Sequence, residues 1–397
     1  MTNADGTIPI LIIGGGIGGM AAALALARAG FPAHVVEQAP EFTEIGAGLQ
    51  LAPNALRVLE GLGVMPALDE VAVKPRNLVF MHADTGEHLT TIDFGKPFRR
   101  RYGQSYTVMH RNDLLDVLLS ACRDHDLVTL ENNRQVEDVQ DLGGGALVRF
   151  ADGDTYRCGA VVGADGLWSR TRRLLADDRP IADTYVAYRG ALPVAEITAP
   201  VEADDEIIWI GPHKHLVQYP IRRGELYNQV AVFRSRRYTP EDEFTDRWGV
   251  PAELDEHFAS SCEPVKAAIS LFNRDRRWVM YDREPLDNWT RGRVTLLGDA
   301  AHPMVQYLAQ GACQAIEDAG CLARQFAAHG GDVDKAFAAY QAERIPRSAL
   351  VQRVARGWGR VWHDNGDVIP VLRDRLFARR SPDDYTDLDW LYQPVSS

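Results

Sequence analysis

A glycine-rich turn between an apolar strand and a helix limits what the start of this chain can form. Residues 8–13 are almost all aliphatic, as in a buried parallel strand, and residues 17–29 are an alanine- and leucine-rich helical segment that ends at Gly30. A second strand-like segment, residues 33–37, follows directly. A strand, a helix and a strand in this order predict a βαβ unit with a right-handed crossover.

The glycines of this turn follow the pattern G-x-G-x-x-G, and each has its own physical role. Gly14 permits the tight turn, Gly16 lets the backbone approach a pyrophosphate, and Gly19 lets the helix pack closely. The helix begins near Ile17, where free N–H groups attract phosphate charge. Glu37 ends the second strand, where a carboxylate can accept hydrogen bonds from an adenosine ribose. The pattern predicts a dinucleotide site and leaves NAD and FAD as alternatives.

The composition is that of an ordinary globular protein and excludes several functions. The 397 residues, 46% of them apolar, are enough for two domains, and the net charge of −12 predicts no binding to nucleic acid. Five scattered cysteines without a CxxC pair predict a reducing compartment, no disulfide framework and no metal site. Residues 8–27 are uncharged, but glycines interrupt them and no basic segment precedes them. We therefore expect a cytoplasmic protein with neither a membrane span nor a signal peptide.

From about residue 183 the sequence changes to a succession of strands. Residues 184–195, 206–219 and 226–235 are rich in β-branched and aromatic residues and are separated by turn residues, which predicts a mainly antiparallel sheet. A buried strand returns at residues 294–297, so the first domain is expected to be discontinuous. Helices are predicted over residues 54–62, 112–123, 252–269, 311–328 and 334–360.

Two further segments resemble known flavoprotein motifs. Residues 163–172 read GADGLWSRTR, and residues 298–303 read GDAAHP. With the glycine turn and with residues 46–55 and 110–114, they resemble the motifs of the single-component (group A) flavoprotein aromatic monooxygenases, the 4-hydroxybenzoate hydroxylase superfamily, over nearly the whole chain. The resemblance implies tightly bound FAD, an enzyme that hydroxylates aromatic rings with O2, and a homodimer.

The expected fold class is therefore α/β. It combines a Rossmann-type FAD-binding domain with an inserted, mainly antiparallel β-sheet substrate domain and C-terminal helices. We predict a discontinuous FAD-binding domain over residues 1–182 and 276–330, a substrate-binding domain over residues 183–275 and a C-terminal helical region over residues 331–397, with residues 75–100 contributing to the substrate sheet.

The resemblance assigns FAD contacts to residues in each motif. Asp299 would bond the ribityl hydroxyls, and Arg111 would meet the pyrophosphate or the ribityl side. Asp165 would order its own turn and touch both FAD and the path of the reductant, whereas His302 is expected to be structural. The expected FAD-binding residues are Gly14, Gly16, Ile17, Gly19, Glu37, Ala47, Gly48, Arg111, Asp165, Asp299, Gly311 and Ala312.

The electron donor is expected to have no dinucleotide-binding domain of its own. Residues 143–145 begin a second glycine pattern, but Val148 stands where its last glycine should be. A nicotinamide donor must then dock transiently, as is usual in the family that the chain resembles. That resemblance favours NADH and leaves NADPH open.

Segments on the substrate side resemble the 3-hydroxybenzoate 6-hydroxylases of that superfamily. Carried over by motif, His215 would accept the phenol proton and Gln306 would orient the phenol. His213, His215 and Tyr219 have the spacing of one strand face, so the motif and not the spacing selects His215. Tyr219 and Tyr106 are the expected substrate-binding residues. The matching segments are residues 187–190, 211–220, 228–233, 280–285 and 306–309.

The expected reaction is the hydroxylation of a phenolic acid by way of a C4a-hydroperoxyflavin, from 3-hydroxybenzoate to 2,5-dihydroxybenzoate (gentisate). Salicylate, 6-hydroxynicotinate and a larger biosynthetic phenol remain as alternative substrates. An NAD-dependent dehydrogenase and a non-catalytic flavin-binding protein remain as alternative classes. Cys313 and Gln314 depart from the family pattern, and Cys313 is expected to be a buried small residue without a nucleophilic role.

Overall fold

Two β-sheets carry most of the structure. The computed structural model describes residues 7–43, 46–197 and 204–394. The strands in these ranges are β1 (Ile8–Ile13), β2 (Ala33–Val36), β3 (Gly48–Leu51), β4 (Asn77–His82), β5 (His88–Asp93), β6 (Thr107–His110), β7 (Val128–Glu131), β8 (Val136–Asp141), β9 (Ala146–Phe150), β10 (Thr155–Gly163), β11 (Ile181–Pro193), β12 (Asp205–Gly211), β13 (Lys214–Ile221), β14 (Leu226–Arg234), β15 (Trp278–Asp282), β16 (Thr290–Arg291) and β17 (Val294–Leu296). The α-helices are α1 (Ile17–Arg28), α2 (Pro53–Gly61), α3 (Met65–Val71), α4 (Lys96–Tyr102), α5 (Arg111–Arg123), α6 (Pro251–Phe258), α7 (Glu263–Ser270), α8 (Gly311–Ala328), α9 (Val333–His363), α10 (Ile369–Arg379) and α11 (Asp389–Tyr392).

The first sheet has the strand order β16-β17-β10-β1-β2-β7, with β9 and β8 branching from β10. Strands β17, β10, β1, β2 and β7 run parallel to one another. Strand β1 is aliphatic throughout because both of its faces are buried. Ile10 and Ile12 belong to the core that contains α1, α5 and α8, whereas Leu11 packs on the opposite face with Val148 and Phe150 of β9.

The second sheet has the strand order β15-β11-β14-β13-β12-β4-β5 and is antiparallel except between β12 and β4. Side chains alternate between its two faces. On one face, Ile207 and Trp209 are covered by α6 and α7 through Leu254. On the other face, which we call the inner face, Ile208 joins the core of the first sheet. The inner face carries the polar side chains Arg189, Glu206, His215, Tyr219 and Asn228.

The long helix α9 connects the two sheets near the C-terminal end of the chain. Asp332 caps its start by accepting a hydrogen bond from the Lys335 N–H at 3.2 Å. The helix then runs past β16 and ends at His363 against β12 and β13. Helix α10 follows and packs against α9 and β5. Among the residues described here, no helix combines the length and the apolar character needed to cross a bilayer.

Several elements differ from those expected. The single helix over residues 252–269 is two helices, α6 and α7, separated by a break at residues 259–262. The C-terminal region also contains α10 and α11, two helices beyond the last helix predicted over residues 334–360. Strand β15 pairs with β11 in the second sheet, although residues 276–330 were assigned to the FAD-binding domain. Strands β4 and β5 also belong to that sheet. The domain boundaries themselves stay a prediction.

Candidate active site

Residues from four distant motifs lie at one edge of the first sheet. The parallel strands β1, β2, β10 and β17 all end there, and we call this the carboxyl edge. Gly14 follows β1, Glu37 follows β2, Asp165 follows β10 and Asp299 follows β17. Ligands of open α/β sheets bind in the crevice outside this end of the strands. The fold therefore brings together four residues that lie far apart in the sequence.

The glycine turn is closed by contacts that leave no room for a side chain. Gly14 has a φ of +111°, and a Cβ there would lie 2.3 Å from the carbonyl oxygen of Ala164. A Cβ on Gly19 would lie 2.0 Å from the carbonyl oxygen of Gly14. Gly16 precedes α1 and Ile17 begins it, so the free N–H groups of the first helical turn face the carboxyl edge. The glycine turn and the start of the loop that follows β10 therefore pack against each other through their backbones.

Glu37 is also part of the turn. One carboxylate oxygen accepts a hydrogen bond from the Gly15 N–H at 2.8 Å, and the other accepts one from the Ala39 N–H at 2.8 Å. Each oxygen has a second lone pair for another donor. The contact of Glu37 with a ribose stays a prediction.

The loop before β3 joins the carboxyl edge to the second sheet. The Arg111 N–H donates to the carbonyl oxygen of Ala47 at 2.9 Å. The Gly48 N–H donates to Oδ1 of Asn228 at 2.7 Å. A Cβ on Gly48 would lie 2.6 Å from the hydroxyl oxygen of Tyr219. The expected FAD residues Ala47, Gly48 and Arg111 therefore lie between the carboxyl edge and the inner face.

Asp165 organises the turn after β10. Its carboxylate accepts hydrogen bonds from the Ser169 hydroxyl at 2.6 Å and from the N–H groups of Arg170 and Thr171 at 2.8 and 3.0 Å. Nearby, Arg172 is 1% exposed and donates to the carbonyl oxygens of Ala300 and Ala301 at 3.0 and 2.7 Å. Arg172 thereby ties the second motif to the third. The sequence reasoning assigned no role to Arg172.

The third motif presents Asp299 at the surface of the carboxyl edge. Asp299 is exposed, and a Cβ on Gly311 would lie 3.9 Å from its Oδ1. The carboxylate is therefore beside the start of α8. No side chain caps that helix start, where the first N–H groups, those of Gly311 and Ala312, have no partner within the helix.

His302 and Cys313 are buried in structural roles. His302 Nε2 lies 2.6 Å from Oδ2 of Asp318, whose other oxygen accepts a hydrogen bond from Nε of Arg344 at 2.6 Å. Burial alone would raise the pKa of Asp318, but the charges of His302 and Arg344 outweigh it and lower that pKa. Burial raises the pKa of the Cys313 thiol to about 12, so the thiol stays protonated and is a poor nucleophile.

A continuous row of polar side chains crosses the inner face. Nη2 of Arg189 donates to Oε1 of Gln306 at 2.7 Å. Nε2 of Gln306 lies 3.5 Å from Nε2 of His215, and Nδ1 of His215 lies 2.7 Å from Nε2 of His363. The structure thus brings His215 and Gln306 together, as the motifs predicted, and adds Arg189 and His363. The acid–base roles of His215 and Gln306 stay predictions.

His215 and His213 are placed differently, although their spacing predicted one strand face. His213 lies in the turn between β12 and β13 with a φ of +59°, so the strand alternation does not reach it. The prediction that His213 shares a strand face with His215 is therefore wrong. His215 is completely buried, and burial lowers its pKa to about 3, which keeps the imidazole neutral. Tyr219 does share the inner face with His215.

Tyr106 and Tyr219 lie near a buried glutamate. The Tyr106 hydroxyl donates to Oε1 of Gln50 at 3.3 Å, and Nε2 of Gln50 donates to Oε1 of Glu206. Oε2 of Glu206 has no hydrogen-bond partner in the described part of the chain, and burial raises the pKa of Glu206 to about 8. Burial also raises the pKa values of Tyr106 and Tyr219. Both phenols are therefore neutral donors, and Tyr106 reaches the inner face by way of Gln50.

Three residues of this site were missed or left without a role by the sequence reasoning. Arg189 lies inside a quoted motif but carried no assignment, because its contact with Gln306 depends on the strand register. His363 falls just beyond the helix predicted over residues 334–360. Glu206 begins the strand predicted over residues 206–219, directly before four apolar residues, and that position was its only signal.

Comparison with known proteins shows the family to which this chain belongs. The FAD binding domain family matches residues 7–355. The chain is 38% identical over 397 residues to a 3-hydroxybenzoate 6-hydroxylase of Polaromonas naphthalenivorans, covering 99% of this chain and 97% of that protein. It is 35% identical to a 3-amino-4-hydroxybenzoate 2-monooxygenase of Streptomyces platensis, covering 99% and 98% of the two chains. The crystal structure of a Klebsiella pneumoniae HpxO variant with FAD has a TM-score of 0.84 at 25% identity and covers 98% of this chain and 99% of that one.

The fold and the carboxyl edge define a flavoprotein whose second sheet faces the flavin site. The chain belongs to the FAD-dependent aromatic hydroxylases, the group A flavoprotein monooxygenases that include the 3-hydroxybenzoate 6-hydroxylases. The predicted fold class, cofactor and enzyme class are confirmed.

The residues at the carboxyl edge fit FAD. The side-chain-free turn at Gly14 and the helix starts of α1 and α8 offer backbone N–H groups to phosphate and to the flavin ring. Asp299 offers an exposed carboxylate to ribityl hydroxyls. The contacts of Asp299 and Arg111 with FAD stay predictions.

Proposed function

We propose that this enzyme hydroxylates 3-hydroxybenzoate to 2,5-dihydroxybenzoate with NADH and O2. The row formed by Arg189, Gln306 and His215 carries the proposal, because it offers a cation, an amide and a neutral imidazole in one line. FAD, when bound, takes electrons from the nicotinamide and supplies the activated oxygen. The protein residues bind and orient the phenol, exclude water and handle its proton.

The phenol end of the substrate lies at His215 and Gln306. Gln306 Oε1 accepts from Arg189, which can only donate, so the Gln306 amide N–H groups point toward His215. Nε2 of His215 then carries the lone pair, which faces the Gln306 N–H across a long 3.5 Å contact; the phenol displaces this contact, and the lone pair accepts the phenol proton. The Gln306 N–H stabilises the resulting phenolate oxygen. Ionisation makes the ring electron-rich, and the burial of His215 keeps water away from the reacting atoms.

The carboxylate end of the substrate lies at Arg189. Burial, together with the neighbouring charge of Arg111, lowers the pKa of Arg189 to about 10. Nε of Arg189 is buried without a hydrogen-bond partner among the described residues. A cation held in this way is stabilised by an anion of the ligand, and a guanidinium matches a carboxylate geometrically. Tyr219 lines the same face, and Tyr106 supports it through Gln50 and Glu206.

The direct test uses the FAD-loaded enzyme with NADH, O2 and 3-hydroxybenzoate. We expect stoichiometric 2,5-dihydroxybenzoate, and His215→Ala should lose about 10²- to 10⁴-fold in hydroxylation rate while retaining FAD. The matched control is His213→Ala, which removes a neighbouring imidazole from the turn and should keep its activity. Unchanged turnover in His215→Ala would remove the proposed role of His215.

A second experiment tests the carboxylate position and the donor. Arg189→Met should raise KM for 3-hydroxybenzoate by at least about tenfold, because it removes a charged hydrogen bond, and should change KM much less for uncharged 3-hydroxybenzamide. A panel with salicylate, 6-hydroxynicotinate and 3-amino-4-hydroxybenzoate ranks the alternative phenols by kcat/KM. The same assay with NADPH decides between the two donors, and we expect NADH to be faster.

We also propose that the enzyme is a homodimer joined through α10. Five apolar side chains in and next to that helix are exposed between 39% and 69%. An exposed apolar patch of this kind marks an association surface. Leu376→Asp should convert a dimer to a monomer in analytical ultracentrifugation, whereas Arg375→Ala on the same helix should not. The five side chains are Val368, Ile369, Val371, Leu372 and Leu376.

A cytoplasmic location is proposed from the cysteines. All five are unpaired thiols, as is usual where the compartment is reducing. Fractionation that found the enzyme in an oxidising compartment would contradict this proposal.

A further inference from the structure

A second buried histidine lies directly behind His215. His363 is the last residue of α9, and its Nε2 lies 2.7 Å from Nδ1 of His215. The two rings are stacked, with centroids 5.0 Å apart and an interplanar angle of 22°. Tyr185 stacks on His363 with centroids 4.5 Å apart. The histidine pair is therefore held in one arrangement by rings from the second sheet and from α9.

The hydrogen-bond donors in the row determine the tautomers of both rings. Gln306 presents an N–H to His215 Nε2, so that nitrogen is the acceptor and Nδ1 carries the proton. Nδ1 of His215 then donates to Nε2 of His363. The proton of neutral His363 is left on its own Nδ1. The result is a directional path in which each ring accepts on one nitrogen and donates from the other.

The far end of this path meets a cavity. His363 lines a cavity of about 430 Å³, together with Asp183, Asp282, Glu284 and Arg360. Asp282 and Glu284 are ion-paired with Arg356, which also lines the cavity. Asp183 has no ion pair within the described ranges, and burial raises its pKa, so it is a suitable acceptor for a proton that leaves His363. Water in the cavity can complete the transfer, because the cavity has room for several molecules.

We infer that His363 is a relay residue that passes the phenol proton from His215 to this cavity. The inference rests on the proposed role of His215. The phenol O–H bond breaks as a bond forms to Nε2 of His215. The Nδ1–H bond of His215 then breaks as a bond forms to Nε2 of His363, and His363 releases its Nδ1 proton to water or Asp183. One proton leaves the site, no electrons are transferred, and the reverse sequence returns a proton to the product phenolate.

Burial disfavours a proton that stays on either histidine. Burial lowers the pKa of His215 to about 3, and burial together with the charges of His215 and His213 lowers the pKa of His363 well below its ordinary value. A proton that stopped on either ring would be poorly held. A proton that reaches the cavity is solvated, so the phenolate remains beside Gln306 while the charge is dispersed.

The test follows the ionisation of bound 3-hydroxybenzoate in stopped flow, by phenolate absorbance and by an indicator dye that reports proton release. The proteins are the FAD-loaded wild type, His363→Ala and His213→Ala. We expect His363→Ala to ionise the phenol at least about tenfold more slowly, with the Kd for substrate and the FAD content unchanged. Added imidazole should enter the enlarged cavity and restore the rate, which a merely structural histidine would not allow. His213→Ala should match the wild type.

Four outcomes would contradict either the relay or the proposed function on which it rests. Loss of ionisation in His215→Ala with a wild-type rate in His363→Ala would overturn the relay and leave the proposed function intact. A slow His363→Ala rate that imidazole does not raise would also overturn the relay. If His363→Ala does not fold, the wild type decides alone. Its ionisation rate in H2O–D2O mixtures should depend on deuterium content along a curve, as more than one moving proton requires, and a straight line would refute the relay. Ionisation that also persists in His215→Ala would refute the proposed function itself.

Discussion

Replacing Glu206 by glutamine should make the enzyme relatively more heat-resistant at alkaline pH. Glu206 is 1% exposed, and its only hydrogen-bond partner among the described residues is Gln50. Burial raises the pKa of Glu206 from 4.5 to about 8. An acid with a raised folded-state pKa contributes stability that is complete below the unfolded pKa near 4.5 and is lost as the pH rises through 8. Glutamine keeps the acceptor for Gln50 and cannot ionise.

The size of the effect follows from that change in proton affinity. A pKa shift of one unit is worth about 1.4 kcal/mol, so the raised pKa of Glu206 lowers the free energy of unfolding by about 2 kcal/mol at pH 6 and by about 5 kcal/mol at pH 9. The difference between the two pH values is about 3 kcal/mol. For 397 residues the unfolding entropy is about 0.8 kcal/mol/K, so this difference corresponds to about 3 to 4 °C in Tm.

The assay compares Tm of the FAD-loaded wild type and Glu206→Gln at pH 6 and pH 9. The Tm of Glu206→Gln minus the Tm of the wild type should be about 3 to 4 °C larger at pH 9 than at pH 6. Any constant effect of the amide cancels in this comparison. Glu241→Gln, at an exposed position, is the matched control and should show equal differences at both pH values. An equal advantage of Glu206→Gln at both pH values would refute the assignment of a neutral buried acid.

Three other substitutions test separate parts of the account. Gly19→Ala places a Cβ 2.0 Å from the Gly14 carbonyl oxygen, so the free energy of unfolding should drop by about 1 to 3 kcal/mol and FAD affinity, measured by fluorescence titration, should fall. The control is Gly357→Ala, whose Cβ meets nothing within 4 Å and which should leave FAD binding intact in that titration. Arg172→Met should cost about 1 to 3 kcal/mol of stability, because it leaves the buried Ala300 and Ala301 carbonyls without their donor and removes one of the two arginines paired with Asp178. A denaturant titration that showed no loss would contradict this. Cys313→Ser should retain hydroxylation, since the thiol is protonated and buried; a fall in kcat beyond about tenfold would restore a chemical role to Cys313.

Local sequence patterns were sufficient for the FAD side of the structure. The role of Gly19 depends on a contact with the Gly14 carbonyl oxygen inside the turn, which a GxGxxG pattern specifies directly, whereas the tight space at Gly14 comes from Ala164 in the loop after β10. The convergence of Asp165 and Asp299 follows from a general property of parallel sheets, because both residues follow a buried strand. Each of these predictions needed only the identity of a short segment and its place after a strand.

The substrate side depended on contacts that no local pattern contains. His215 and His363 are 148 residues apart, and their contact exists only because α9 docks its C-terminal end on β13. Arg189 meets Gln306 because of the register between β11 and β14. The alternation argument failed at His213 because a tight turn with positive φ interrupts the strand period there. Registers and helix docking are set by the whole core, so a single sequence does not reveal them.

The most direct test of the central claim is the coupling of NADH oxidation to hydroxylation in the purified, FAD-loaded enzyme. The account predicts that 3-hydroxybenzoate accelerates NADH oxidation and that each NADH consumed yields one 2,5-dihydroxybenzoate, with both lost together in His215→Ala. NADH oxidation that 3-hydroxybenzoate does not stimulate, or that yields only hydrogen peroxide, would contradict it.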